Sequence, residues 1–286
     1  MRVKAVLPLL AVAGLLLSAG CSAGAGMSTR PPVPTRAGVP SAGVAVAHGR
    51  AAPRPPDATR VAAFRKWGLP LLPPPPVRPP VKPVRTRGPP VPVVTPLPTS
   101  QRVVFLTIDD GVQKDPGFSE MMQDLKVPFT MFLTDRFVRD DYRYFAPLKA
   151  LGNGIENHTV THPDLRSRTL VQQRAEICGQ QTRLSRQYGT TPGLFRPPYG
   201  AWNETTRAAA KACGIRAIVN WTDNVQPAGT VYYGDGASSF KPGAIILAHF
   251  HGPQEMEGRT MTQMTADLLR EVAAQGFTLA RLEDYV

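Results

Sequence analysis

Val103-Val104-Phe105-Leu106-Thr107-Ile108-Asp109-Asp110-Gly111 is the stretch on which the reading of the chain turns. An apolar and β-branched run without alternation marks a strand covered on both faces, as in parallel α/β sheets, and this one stops at two carboxylates and a glycine. Outward from it, helix-like and strand-like segments take turns. They are helix Phe118–Leu125, strand Phe129–Leu133, helix Tyr142–Leu151 closed by Gly152, and a short strand near Ile155 that runs into His158. Helix Leu170–Tyr188, strand Leu194-Phe195, helix Glu204–Cys213 and strand Ile215–Val219 follow, then strand Ala244–Leu247, helix Met261–Gln275 and strand Phe277–Leu279. This alternation predicts a parallel α/β barrel or an open doubly wound sheet, and in both the polar residues at strand C-termini gather on one rim.

Charge and proline divide the 286-residue chain near position 100. Residues 1–100 hold 13 Lys and Arg against one acid, Asp57, and 21 of the 31 prolines, whereas residues 101–286 hold 20 basic and 20 acidic side chains. The pI near 10.1 therefore belongs to the first hundred residues. The remainder is neutral and lacks a basic stripe with interleaved aromatics, so no nucleic-acid partner is expected. Its length suits one α/β domain, 101–286, and a monomer is expected.

Arg2 and Lys4 precede an apolar run, Ala5–Leu17, too short to span a bilayer and ordered like a secretory signal. It ends in Leu17-Ser18-Ala19-Gly20-Cys21, which resembles a bacterial lipobox. Residues 1–20 then read as a lipoprotein signal peptide and Cys21 as the lipid attachment site, placing an exported protein on the outer face of the cell membrane. The alternative is an ordinary signal peptide with a chance cysteine beside it. Residues 21–100 read as a disordered, extended Pro/Arg-rich linker, with runs such as Leu72-Pro73-Pro74-Pro75-Pro76 favouring polyproline II and only a short helical turn around Val61–Trp67. Its basic residues either lie on anionic lipid or wall polymer, or merely keep a spacer soluble. Of the remaining cysteines, Cys178 and Cys213 either join in the oxidising exterior or stay as buried thiols.

Five polar clusters fall at predicted strand ends. Asp109 and Asp110 diverge in extended backbone, so one can ligate a cation while the other moves protons. His158-Thr159-Val160-Thr161-His162-Pro163 carries two imidazoles on a turn, because Pro163 biases His162 away from helix. Two His and one carboxylate suit Zn2+, and also Fe2+, Co2+ or Ni2+. Thr159 is not Glu, so this is not the His-Glu-x-x-His protease arrangement. Arg196-Pro197-Pro198-Tyr199-Gly200 is a stiff loop able to hold a guanidinium against a carboxylate and to aim a backbone N–H at an oxyanion. Trp221-Thr222-Asp223-Asn224 offers an aromatic wall and an orienting acid, and Ile246-Leu247-Ala248-His249 ends in a histidine suited to protonating a leaving group. Taken singly, each cluster also reads as structure: a capping pair, surface histidines, a rigid turn or a satisfied core histidine.

Together and in this order, from about Arg102 to Val286, they resemble the polysaccharide deacetylase family, carbohydrate esterase family 4. The resemblance implies a distorted (β/α) barrel with fewer than eight complete units and a metal-dependent hydrolase that removes N-acetyl or O-acetyl groups from a polysaccharide, peptidoglycan or chitin-type sugars first. It implies Asp110, His158 and His162 as ligands of a divalent metal, usually zinc. Asp109 would be the general base, Arg196 its orienting partner, Tyr199 the oxyanion donor and His249 the general acid, with Leu247, Trp221 and Asp223 toward the substrate. The family's fourth motif departs here: a second Asp-Trp is missing, so either Asp223 or Asn224 supports Arg196 in its place or that support is lost. A non-catalytic glycan-binding lipoprotein is the alternative. An Fe2+ oxygenase on the same ligand set would leave Asp109, Arg196 and His249 without a role.

Overall fold

The computed structural model describes residues 57–286; the expected signal segment, Cys21 and the linker up to residue 56 lie outside the described residues. Strand β2 (Val103–Asp110), buried along its whole length, is central, preceded by helix α1 (Ala58–Lys66) and strand β1 (Val93–Val94). After it come α2 (Pro116–Leu125), β3 (Thr130–Leu133), α3 (Asp135–Val138), α4 (Phe145–Ala150), β4 (Gly154–Asn157), α5 (Leu170–Tyr188), β5 (Leu194–Phe195), α6 (Glu204–Ala212) and β6 (Ala217–Val219). The chain continues through β7 (Asp223–Val225), β8 (Val231–Tyr232), β9 (Ile245–His249), α7 (Met261–Ala274) and β10 (Thr278–Leu279). Sequence chemistry sets the helix starts: Asp115 caps α2 with Pro116 at its first position, and Thr169 with Gln172 and Thr260 with Gln263 form capping boxes on α5 and α7.

The sheet runs β1-β6-β5-β4-β3-β2-β9-β7-β8, with β10 beside the start of β2. Every pair is parallel except β7–β8. It curls into the expected distorted, open barrel. The two-residue period of β2 assigns its faces. Val104, Leu106 and Ile108 pack outward with Phe118, Met122 and Leu268 of the helices, while Val103 and Phe105 point inward with Phe132, Leu194 and Val219. Thr107 and Asp109 continue the inner row.

Two features differ from the sequence reading. Residues 57–100 are not all linker: Phe64, Leu69 and Leu72 are buried in the outer core, β1 pairs with β6, and Leu97 N–H donates to Gly243 O. Lys66 and Trp67 both reach Asp124 of α2. The helical turn expected around Val61–Trp67 is α1, which carries Phe64; beyond it prolines space Leu72 and Leu97 irregularly, so no period betrays them. They fill grooves between elements that already exist. The second is that Asp223 and Asn224 begin a strand instead of ending one, in a short hairpin whose register comes from β9. Cys178 of α5 and Cys213 after α6 are joined in a disulfide, resolving the pairing left open by spacing.

Candidate active site

β2 ends in a sharp turn. Asp110 has φ 74°, and Gly111 follows at φ 91° with Val138 only 2.3 Å from where its Cβ would stand, so only glycine fits. Thr159, His162 and Tyr199 also hold left-handed backbone (φ 70°, 62° and 61°). Such conformations cost about 1–3 kcal/mol each and cluster at functional sites.

The His158–His162 loop is fixed from behind. Asn157 accepts from Thr159 N–H, Thr134 Oγ1 donates to His158 O, and Glu176 of α5 accepts from Val160 N–H, Thr161 N–H and the Thr161 hydroxyl. Glu176 went unnoticed in the sequence because it lies on a polar helix far from any motif. His158 Nδ1 lies 2.6 Å from Arg196 O. A carbonyl can only accept, so Nδ1 carries the hydrogen and Nε2 presents a lone pair. That lone pair faces Asp110 Oδ1 at 3.6 Å, and His162 Nε2 faces the same oxygen at 3.4 Å. Asp110 Oδ1 is buried without a hydrogen-bond partner. Ligand atoms of Asp110, His158 and His162 all lie within 4.8 Å of one another. Lone pairs converging on an orphaned carboxylate oxygen fit a divalent cation, and the two-imidazole, one-carboxylate donor set suits zinc.

Asp109 points into the barrel, where Arg196 Nη1 donates to its Oδ1 at 2.7 Å and to Thr107 Oγ1 at 2.8 Å. Burial pushes the Asp109 carboxyl up, and the Arg196 charge works against this. At Asp110 burial acts the same way, but the His251 contact and the surrounding imidazoles of His158, His249 and His162 outweigh it and hold the group below the ordinary carboxylate range. Burial lowers His158, His162 and His249.

Arg196 itself is wholly buried. Its support is not the expected acid: Nε donates to Val219 O at 3.1 Å, Nη2 to Asn220 O at 3.4 Å, and the guanidinium lies over Phe132 at 4.4 Å. Asp223 instead accepts from Gly234 N–H and the Thr222 hydroxyl. Strand-end carbonyls thus replace the missing side chain. Trp221 packs against Arg196 and Gly200, and the exposed Tyr199 sets its ring edge-on to His162. Leu247, Asn224 and His249 line a cavity of about 230 Å³ with Met256 and Met264. His251 lines it too; its His-x-His spacing from His249, the last residue of β9, was the signal that could have found it.

The polysaccharide deacetylase family model matches residues 97–218. An uncharacterized protein of Streptomyces coelicolor is 38% identical over 195 residues, 68% of this chain and 77% of that protein. A chitooligosaccharide deacetylase of Bradyrhizobium is 30% identical over 58% of this chain and 78% of its own length. The chain belongs to the polysaccharide deacetylase family. PdaA of Bacillus subtilis, a peptidoglycan-N-acetylmuramic acid deacetylase, is 26% identical over 65% of the chain and 72% of that protein. Its solved structure shares the fold with a TM-score of 0.55 at 21% identity, covering 81% of this chain and 91% of that one. As a polysaccharide deacetylase the protein is a hydrolase of acylated carbohydrate, and the rim of β2, β4, β5 and β9 is where its chemistry-bearing side chains meet.

Proposed function

We propose that this protein is a metal-dependent deacetylase that removes N-acetyl groups from cell-wall peptidoglycan, tethered to the outer membrane face by a lipid on Cys21. The observation that carries the catalytic part is the orphaned Asp110 Oδ1, faced by two imidazoles and adjoining an Asp109–Arg196 pair. Asp110, His158 and His162 would hold a divalent ion, which when bound would supply Lewis acidity toward the scissile carbonyl and acidify water. Arg196 occupies Asp109 Oδ1, leaving Oδ2 to take the proton of the attacking water. The Tyr199 N–H donates to the tetrahedral oxyanion. His249, whose ring burial makes a stronger acid when protonated, passes a proton to the departing amine, so the products are acetate and a free amino sugar. Wall glycan is placed ahead of chitin-type oligosaccharides and acetylated xylan because the expected export signal would set the enzyme beside it, and PdaA is a relative that acts on peptidoglycan.

Acetate release from peptidoglycan, chitooligosaccharides and acetylxylan, with and without chelator, tests this reading. Chelator-sensitive release, greatest from peptidoglycan, is expected; no release from any of them by zinc-loaded protein overturns it. For the tether, Cys21→Ser is expected to move the protein from the membrane to a soluble fraction, and unchanged partitioning sinks that part.

A further inference from the structure

Beyond β9 the chain stays extended through Phe250. Its N–H donates to Asp109 O at 3.0 Å, its carbonyl accepts from Gln113 N–H at 2.8 Å, and its ring is buried against Phe118 and Phe145. Alternation then sends His249 and His251 to the opposite side together. Their rings stack with centroids 4.7 Å apart and planes 14° from parallel. His251 Nε2 lies 3.5 Å from Asp110 Oδ2, while His158 and His162 face Oδ1, so imidazoles meet this carboxylate at both oxygens. His251 stands outside the set whose ligand atoms lie within 4.8 Å of one another. Two ligands of one zinc ion, each at about 2.0–2.2 Å, stand no more than roughly 4.4 Å apart, so His251 is not placed to share that ion.

We infer that His251 is a positioning residue of the metal site, donating its Nε2–H to Asp110 Oδ2 and keeping Oδ1 turned toward His158 and His162. The inference rests on the metal-site part of the function proposed above. Asp110 sits where β2 ends, in left-handed backbone, and Oδ1 has no hydrogen bond to hold it. A carboxylate without a second anchor rotates and offers either oxygen, and that freedom is lost on binding. His251 is pinned by the His249 stack and by the Phe250 backbone, so it removes this freedom beforehand. At 27% side-chain exposure, it can be replaced without opening the core.

The test is zinc affinity by competition with a chromogenic chelator, on the full chain as wild type, His251→Ala, His251→Gln and Asp110→Ala. His251→Ala is expected to weaken zinc binding about 10–100-fold, as for other partners that orient metal ligands. Glutamine places an amide N–H near the former Nε2 position, so His251→Gln should recover most of the affinity, with superimposable circular-dichroism melts of the zinc-free proteins. Wild-type affinity in His251→Ala, or a glutamine variant as weak as the alanine one, overturns the inference. Unchanged affinity in Asp110→Ala would instead overturn the metal site itself.

Discussion

Asp109 and Asp110 at the open rim and Glu156 and Glu283 deeper in the barrel are both buried carboxyl pairs, and Phe132 registers between Asp109 and Glu156 across β2, β3 and β4. Their surroundings differ. The upper pair is ringed by Arg196 and four imidazoles. The lower pair takes its hydrogen bonds from neutral groups, Glu156 from Gly193 and Leu194 N–H and Glu283 from the Thr130 hydroxyl, with Arg281 standing off at 3.9 Å from Glu283. Burial, and then the charge of Glu283, push Glu156 up to about 8. Where burial and a like charge outweigh a guanidinium that makes no hydrogen bond, a carboxyl becomes a neutral spacer; close charged or ligating neighbours make it a base or a ligand.

The sharpest way to break this contrast is Asp110→Ala, which should cost the most: zinc content and turnover both near background, only partly restored by excess zinc. Asp109→Asn should keep its zinc and lose turnover by about 10²–10⁴-fold, as lost general base catalysis does. Glu156→Gln should leave turnover intact; a loss comparable to that of Asp109→Asn would erase the distinction between the pairs.

The lower pair carries a stability signature instead. The folded state holds a proton on Glu156 that the unfolded chain releases above about 4.5, so stability should fall as pH rises from there to about 8 and then level off. Thermal melts of wild type and Glu156→Gln across that window should differ in slope, by on the order of a few kcal/mol overall, the variant being flatter. Parallel curves would show that Glu156 does not titrate in this range. The smallest effect sharpens the rim: Asp223→Ala leaves the Gly234 N–H without its acceptor and should cost about 1–3 kcal/mol, while zinc affinity stays at the wild-type value. A large drop in zinc affinity would restore the role the sequence suggested for Asp223.

Much of the fold was legible because continuous apolar strands, capped helices and strand-end polar clusters are local signals. Leu170–Tyr188 and Leu194–Phe195 occur with the boundaries read from sequence, and the other elements differ by a few residues. The β7–β8 hairpin was not, since strands of two or three partly polar residues owe their pairing to β9. Likewise, apart from the α1 turn, the arm up to residue 97 has no period of its own, and Leu72 finds its place only in the outer core.

The sequence by itself determined the family, the alternation of elements and the residue types of the site, because each is carried by short contiguous runs: Asp109-Asp110, His158 to His162, Arg196 to Tyr199, Leu247 to His249. Only the tertiary structure decided what supports Arg196, where Asp223 turns, that Cys178 meets Cys213 and that His251 reaches Asp110. The physical reason is that these contacts join residues far apart in the chain, and several end on backbone carbonyls or amides, which every residue possesses and no sequence motif can mark.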